Sequence, residues 1–154
     1  MTGITLAEAL EREHREIDGG IEEYAAAEGN ADPAPLLRAM AGLRRHIYLE
    51  EEFLFPPLKE AGMVMPIFVM LREHGQLWDA MDELDALLAG DGDPEMLRHA
   101  CRELLSTLDA HNSKEEPIIY PQADAVLAPD AAARLHDFLR SGEMPPGWRC
   151  EKAA

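Results

Sequence analysis

The sequence predicts an all-α protein, an up-down-up-down four-helix bundle followed by a short C-terminal helix and a tail. First, 154 residues suffice for one core but not for two ordinary domains, so we assign residues 1–144 to one domain and 145–154 to a tail. Second, the chain is rich in Ala, Leu and Glu and only 6% aromatic, which is typical of helices rather than strands. Third, apolar residues recur at alternating steps of three and four, as they do along the buried face of a bundled helix.

Glycine and proline mark the ends of the predicted helices. They interrupt the sequence at 29–35, 61–66, 90–94 and 127–129, and Pro-Pro-Gly at 145–147 opens the tail. Short links between long helices favour antiparallel neighbours. Pro56, Pro57 and Pro121 lie close to helix ends, where we expect each to kink or end its helix.

The net charge and the two cysteines exclude several classes of function. A formal charge of −16 repels phosphate backbones and anionic membrane surfaces, so we expect neither nucleic acid nor a membrane as a partner. No apolar run approaches the roughly 20 residues that span a bilayer, and residues 1–10 lack the pattern of an export signal, which favours a cytoplasmic protein. Cys101 and Cys150 show no metal-binding spacing; we expect a buried thiol at Cys101 and an exposed, reactive one at Cys150.

Six ionisable side chains lie on the predicted apolar faces. A carboxylate in an apolar core costs several kcal/mol unless it is paired or binds a metal, so these six need a common explanation. Their distances along the chain from the shared turns match to within about one helical turn, so they can converge at one depth. They are His14 on helix one, His46 and Glu50 on helix two, His74 on helix three, and His111 and Glu115 on helix four, whose apolar face we extend to Ile118.

The chain also repeats itself. Arg-Glu-His at 12–14 recurs at 72–74, and His-x-x-x-Glu-Glu-x-Phe-Leu-Phe-Pro at 46–56 recurs as His-x-x-x-Glu-Glu-x-Ile-Ile-Tyr-Pro at 111–121. Two similar helical hairpins therefore make up the bundle. Each supplies one separate histidine and one His-x-x-x-Glu pair, whose spacing of four residues places both side chains on the same helix face.

Imidazole and carboxylate donors together favour a pair of iron ions. They suit iron or manganese, carboxylates can bridge two ions, and the chain has no set of thiolates for structural zinc. If Glu50 and Glu115 bridge the ions and two histidines bind each ion, every ion has four protein donors. An oxo or hydroxo bridge then leaves about one open position per ion for a small ligand.

These motifs resemble, in order, those of the hemerythrin-like, or HHE cation-binding, domain family, over about residues 5–125. The set of four histidines and two glutamates is similar to that of the repair-of-iron-centres proteins, although the sequence shows no amino-terminal cysteine-bearing domain of the kind that many of those have. The resemblance implies a di-iron centre with the ligands His14, His46, Glu50, His74, His111 and Glu115.

Two positions depart from the oxygen-carrying hemerythrins. Those proteins have a second histidine on helix three, one turn after the first, where this chain has Trp78. Their carboxylate on helix four is an aspartate five residues after the histidine, whereas here Glu115 and Glu116 follow His111 by four and five residues. We choose Glu115 because it lies on the apolar face, and Glu116 stays open as the alternative.

Several other residues have simpler interpretations. Glu51 and Glu116 are interpreted as charges on solvated helix faces, with a hydrogen bond to a ligand histidine as the alternative. Tyr120, near a helix end, is interpreted as packing. His99 and His136 lie off the apolar faces and are interpreted as non-ligands.

The expected function is that of a non-haem di-iron protein that binds or senses O₂, nitric oxide or peroxide, with that small molecule as its partner. Two alternatives are an iron-handling protein that releases labile iron to damaged iron centres, and a di-iron reductase of peroxide or nitric oxide, so enzymatic turnover stays open. A ferritin-like centre needs Glu-x-x-His on two helices, and only Glu11-x-x-His14 fits. A purely structural bundle predicts no bound metal.

Overall fold

A computed structural model describes residues 3–90 and 92–154; Met1, Thr2 and Asp91, the last within the predicted third link, lie outside the described residues. Throughout the described ranges the regular structure is helical, which confirms the all-α prediction. The elements are α1 (Leu6–Ala26), α2 (Ala34–Leu49), a π-helical turn (Glu50–Leu54), α3 (Phe55–Glu60), α4 (Val64–Ala89), α5 (Pro94–Ile118), α6 (Tyr120–Val126) and α7 (Pro129–Ser141).

Four helical columns form the predicted up-down-up-down bundle. The second column is α2 with its continuation through the π turn into α3, and the fourth is α5 continued by α6. Helix α1 packs beside α2 and α5, α4 packs beside α5 and α3, and the short α7 lies across α1, α2 and the π turn. The start of α1 is set by Thr5, which forms a capping box with Glu8 and so satisfies amide groups that the helix leaves free. The carboxylate of Asp124 on α6 accepts hydrogen bonds from the next free amides, those of Leu6 and Ala7.

A polar layer divides the core into two apolar clusters. Along α1, His14 lies between Leu10, which belongs to one cluster, and Ile17, which belongs to the other. Along α4, His74 is flanked in the same way by Met70 and Leu77. All six ionisable side chains of the predicted apolar faces are buried, so the interior holds one charged layer that apolar packing seals on both sides.

The π turn begins at Glu50 and has a local cause. Pro56 and Pro57 have no amide hydrogen, so neither can donate to the carbonyl four residues earlier. The last amide before them, that of Phe55, donates to the Glu50 carbonyl five residues back. The predicted kink is therefore a widened turn at the level of the polar layer, a place where such turns often serve a site.

Two predictions about the second hairpin and the tail are wrong. Ile118 is 50% exposed, and Ile119 takes the buried position, because the buried face advances from Glu115 by four residues, in line with the hydrogen bond from the Ile119 amide to the Glu115 carbonyl, and not by three. Cys150 is buried in the same apolar cluster as Cys101, and burial raises the pKa of its thiol to about 12. Cys150 is thus protected rather than reactive.

The tail is fixed against α4. Trp148 packs edge-on against Trp78 with ring centres 5.5 Å apart, and the amide of Glu151 donates to Glu51 Oε1 at 3.0 Å. A Cβ atom added at Gly75 would lie 2.5 Å from the backbone carbonyl oxygen of Lys152. Position 75 therefore requires glycine, because any side chain there would push the tail away from the helix.

Gly75→Ala should expose Cys150. The added methyl group meets backbone atoms of Lys152, so the tail has to move, and we expect alkylation of Cys150 to become several-fold faster while Cys101 stays protected. Peptide mass spectrometry after timed alkylation measures both rates. Gly19→Ala is the matched control, since nothing lies within 4 Å of a Cβ added in the middle of α1. An unchanged Cys150 rate in Gly75→Ala would contradict the packing of the tail.

Candidate metal centre

The structure brings all six predicted ligand side chains together in the polar layer. Each is at most 3% exposed. Their donor atoms form two groups, and within each group the atoms lie within 4.8 Å of one another. One group is His14, His46, Glu50 and Glu115, and the other is Glu50, His74, His111 and Glu115.

Glu50 joins the two groups. Its Oε1 lies 2.9 Å from His74 Nε2, and its Oε2 lies 3.1 Å from His46 Nε2. The two oxygens of one carboxylate thus face histidines of different groups. This is the arrangement that a carboxylate bridging two ions needs.

Glu115 is the second shared carboxylate. Its Oε1 lies 3.2 Å from His14 Nε2 and 3.4 Å from His111 Nε2. Its Oε2 is buried and has no hydrogen-bond partner among the described residues. Such a buried charged oxygen is costly to leave unpaired, and a metal ion would satisfy it. Glu116, the open alternative, does not enter either group.

A second ring of glutamates holds the histidines. Each of the four candidate histidines turns Nε2 inward and donates from Nδ1 to a carboxylate, which fixes the orientation of its ring. Glu51 has a side chain only 6% exposed, so its interpretation as a solvated charge is wrong. Glu116 is 36% exposed, and both glutamates form the hydrogen bond that was given as the alternative. The pairs are His14 with Glu116 at 2.7 Å, His46 with Glu13 at 2.8 Å, His74 with Glu51 at 2.8 Å, and His111 with Glu73 at 2.9 Å.

Glu13 and Glu73 belong to this ring as well, although neither was predicted to. The signal was present in the repeat, because a glutamate directly precedes the separate histidine in both copies. Each of these glutamates is also paired with a cation, Glu13 with Arg45 at 2.9 Å and Glu73 with Lys114. The two ion pairs hold the outer carboxylates ionised and in place.

In the absence of a metal His46 and His74 hold protons. Burial alone would lower the pKa of His46, but the charge of Glu50 and hydrogen bonds with Glu13 and Glu50 raise it to about 10. Burial likewise opposes the charge of His74, while hydrogen bonds with Glu50 and Glu51 raise its pKa to about 9. Burial and a neighbouring carboxylate oppose ionisation of Glu50, yet the two histidines keep its pKa below the usual range. The buried carboxylates of the layer are therefore stabilised by positive charge, which either protons on the histidines or metal ions can supply.

Tyr120 lies inside the centre, so its interpretation as simple packing is wrong. Its hydroxyl oxygen lies 2.8 Å from His14 Nε2 and 2.9 Å from His46 Nε2. It also lies 2.5 Å from Glu50 Oε2 and 2.9 Å from Glu115 Oε1. Burial and the charges of the two carboxylates raise the pKa of the phenol well above its ordinary value. In the sequence, the one sign of this role is that Tyr120 follows the second His-x-x-x-Glu motif by five residues, where the first repeat has a phenylalanine.

The grouping of buried histidines and glutamates agrees with the family to which the sequence matches. The family model of the hemerythrin HHE cation binding domain matches residues 5–123. The chain belongs to the hemerythrin HHE family. Together with the two buried groups of histidine and glutamate, this makes it a metal-binding protein. No curated protein and no solved structure matches the sequence significantly.

Residues of this HHE domain that were interpreted as non-ligands lie apart from the centre. His99 and His136 are exposed on α5 and α7. Trp78, one turn after His74, packs against Trp148 and lies under the guanidinium of Arg44 at 5.5 Å. It therefore fills the core where oxygen-carrying hemerythrins have a further histidine.

None of the helices in the described ranges is long and apolar enough to cross a membrane.

Proposed function

We propose that this HHE domain holds two iron ions and binds or senses O₂, nitric oxide or peroxide. The observation that carries the proposal is the pair of four-donor groups that share Glu50 and Glu115. Imidazole and carboxylate donors suit iron, and ions that share two carboxylates lie close enough to act together on one small molecule. Bound iron would supply the electrons and the open coordination positions for that molecule.

The residues around the centre favour a small ligand and retained iron. Apolar clusters seal the polar layer above and below, which favours a small molecule over a bulky organic substrate. The four outer glutamates hold the histidines in their binding orientation, and such partners strengthen metal binding. These contacts argue for retention of iron and against its ready release.

The test is to load metal-free protein anaerobically with ferrous iron. We expect about two ions per chain and then a change in the visible spectrum that saturates in proportion to the centre when O₂, nitric oxide or peroxide is added. A chelator added to the loaded protein should remove iron slowly. The control is His74→Ala, which should lose part of the iron and of the spectral response. Protein that binds no iron, or loaded protein that responds to none of the three molecules, would refute the proposal.

A further inference from the structure

The hydroxyl of Tyr120 has more polar neighbours than hydrogen bonding can use. It lies within 2.9 Å of two histidine nitrogens and two carboxylate oxygens. A hydroxyl has one proton and two lone pairs, so it forms about three good hydrogen bonds. Four contacts of this length around one oxygen therefore call for a different explanation.

The distances fit an oxygen that shares a metal ion with these four atoms. Neighbouring donors of an ion with bonds of about 2.1 Å at right angles lie about 3 Å apart. His46 Nε2 and Glu50 Oε2 are 3.1 Å apart, and His14 Nε2 and Glu115 Oε1 are 3.2 Å apart. The Tyr120 oxygen, 2.5–2.9 Å from all four, has the spacing of a fifth donor to the same ion.

Among the described residues, no hydroxyl oxygen forms a hydrogen bond with His74 or His111, the histidines of the other group. Phe55 occupies the position in the first repeat that Tyr120 occupies in the second. Its ring centre lies 5.3 Å from that of His74 at 20°, just as that of Tyr120 lies 5.3 Å from that of His14 at 31°. The two halves are therefore built alike and differ at this position by one hydroxyl group.

We propose that Tyr120 binds the ion held by His14 and His46, which makes the two ions of the centre inequivalent. The inference rests on the proposed di-iron function. Binding forms a bond from the metal to the phenolate oxygen and breaks the O–H bond, whose proton passes to solvent without any change of oxidation state. One ion then has five protein donors and the other has four. The ion held by His74 and His111 keeps the more open coordination sphere and receives the small molecule.

Resonance Raman spectroscopy of the ferric protein tests this assignment. Excitation in the visible charge-transfer band of a ferric phenolate enhances vibrations of the tyrosine ring, and growth on ring-deuterated tyrosine shifts them. We expect these vibrations in the wild-type protein, their loss in Tyr120→Phe and their persistence in Tyr48→Phe. Tyr48 is the matched control because it packs against Phe53 and Trp148, away from the centre.

Phe55→Tyr provides the reverse experiment. A hydroxyl added at position 55, beside His74, should strengthen the phenolate signal. It should also weaken nitric oxide binding, because it fills the more open coordination sphere of the ion held by His74 and His111. Nitric oxide binding that is unchanged in this variant would overturn the assignment of the open position. Iron-loaded wild-type protein without tyrosine vibrations, or vibrations that survive in Tyr120→Phe, would overturn the tyrosine ligand while leaving the di-iron proposal intact. Absence of bound iron would overturn both.

Discussion

Glu50→Ala should lower the iron content from about two ions per chain to near zero. Its two carboxylate oxygens face histidines of different groups, His46 at 3.1 Å and His74 at 2.9 Å. In the proposed di-iron centre, loss of this side chain would remove a donor from both ions, whereas loss of one histidine would remove a donor from one. Elemental analysis of variant and wild-type protein, purified from cells supplied with iron, measures the effect.

Glu52→Ala is the matched control for this experiment. Glu52 lies in the same π turn but is exposed, so its loss should leave the iron content unchanged, as should His99→Ala. Glu50→Gln keeps the volume of the side chain and separates the loss of a charged donor from the creation of a cavity. Far-UV circular dichroism checks that each variant is helical. Equal iron in Glu50→Ala and Glu52→Ala would remove Glu50 from the metal site.

The six candidate ligands could be predicted from sequence because two independent signals agree on them. Helical periodicity places each of them among apolar neighbours, where an unpaired charge is costly. The repeat of His-x-x-x-Glu at 46–50 and 111–115 then joins them into two equivalent halves. The structure brings the same six donors together, so periodicity and repetition were enough to predict which side chains converge.

The outer glutamates were harder to predict because their partners lie on other helices. Glu51 is about 100° around the helix from Glu50, which suggests a solvated face when helix two is considered alone. In the bundle its side chain reaches His74 on α4 at 2.8 Å. Such a contact depends on how closely the helices approach and how they are rotated, which periodicity in one helix does not reveal.

Tyr120 and Ile118 were misinterpreted for a different reason. The α-helical repeat stops at Ile118, next to Pro117, and a new short helix begins at Tyr120. Ile118 was assigned to the core by a step of three residues from Glu115, whereas the buried face takes a step of four to Ile119. Tyr120 was assigned to packing because it lies near a helix end. Proline at 117 and 121 predicts a break but not the direction of the next side chain.

Metal-free protein should become less stable as the pH rises, and iron should stabilise it most at high pH. The pKa of His46 is raised to about 10 and that of His74 to about 9, above their value of about 6.5 in an unfolded chain. A group whose pKa is higher in the folded state stabilises the fold fully below its unfolded pKa and ceases to do so above its folded pKa. These two histidines therefore lose their contribution between about pH 6.5 and about pH 10.

Iron bound as proposed should reverse this dependence, because it would occupy the same nitrogens in place of their protons. As the pH rises above about 6.5, fewer histidine nitrogens carry a proton that the metal has to displace. The rise in melting temperature on loading should therefore grow with pH. Calorimetry of metal-free and anaerobically loaded protein at about pH 6 and about pH 9 measures both trends. In metal-free His46→Asn the pH dependence should weaken, whereas His136→Asn on the exposed face of α7 should leave it unchanged. A gain in melting temperature on loading that shrinks towards high pH would mean that the metal does not replace protons on these buried histidines.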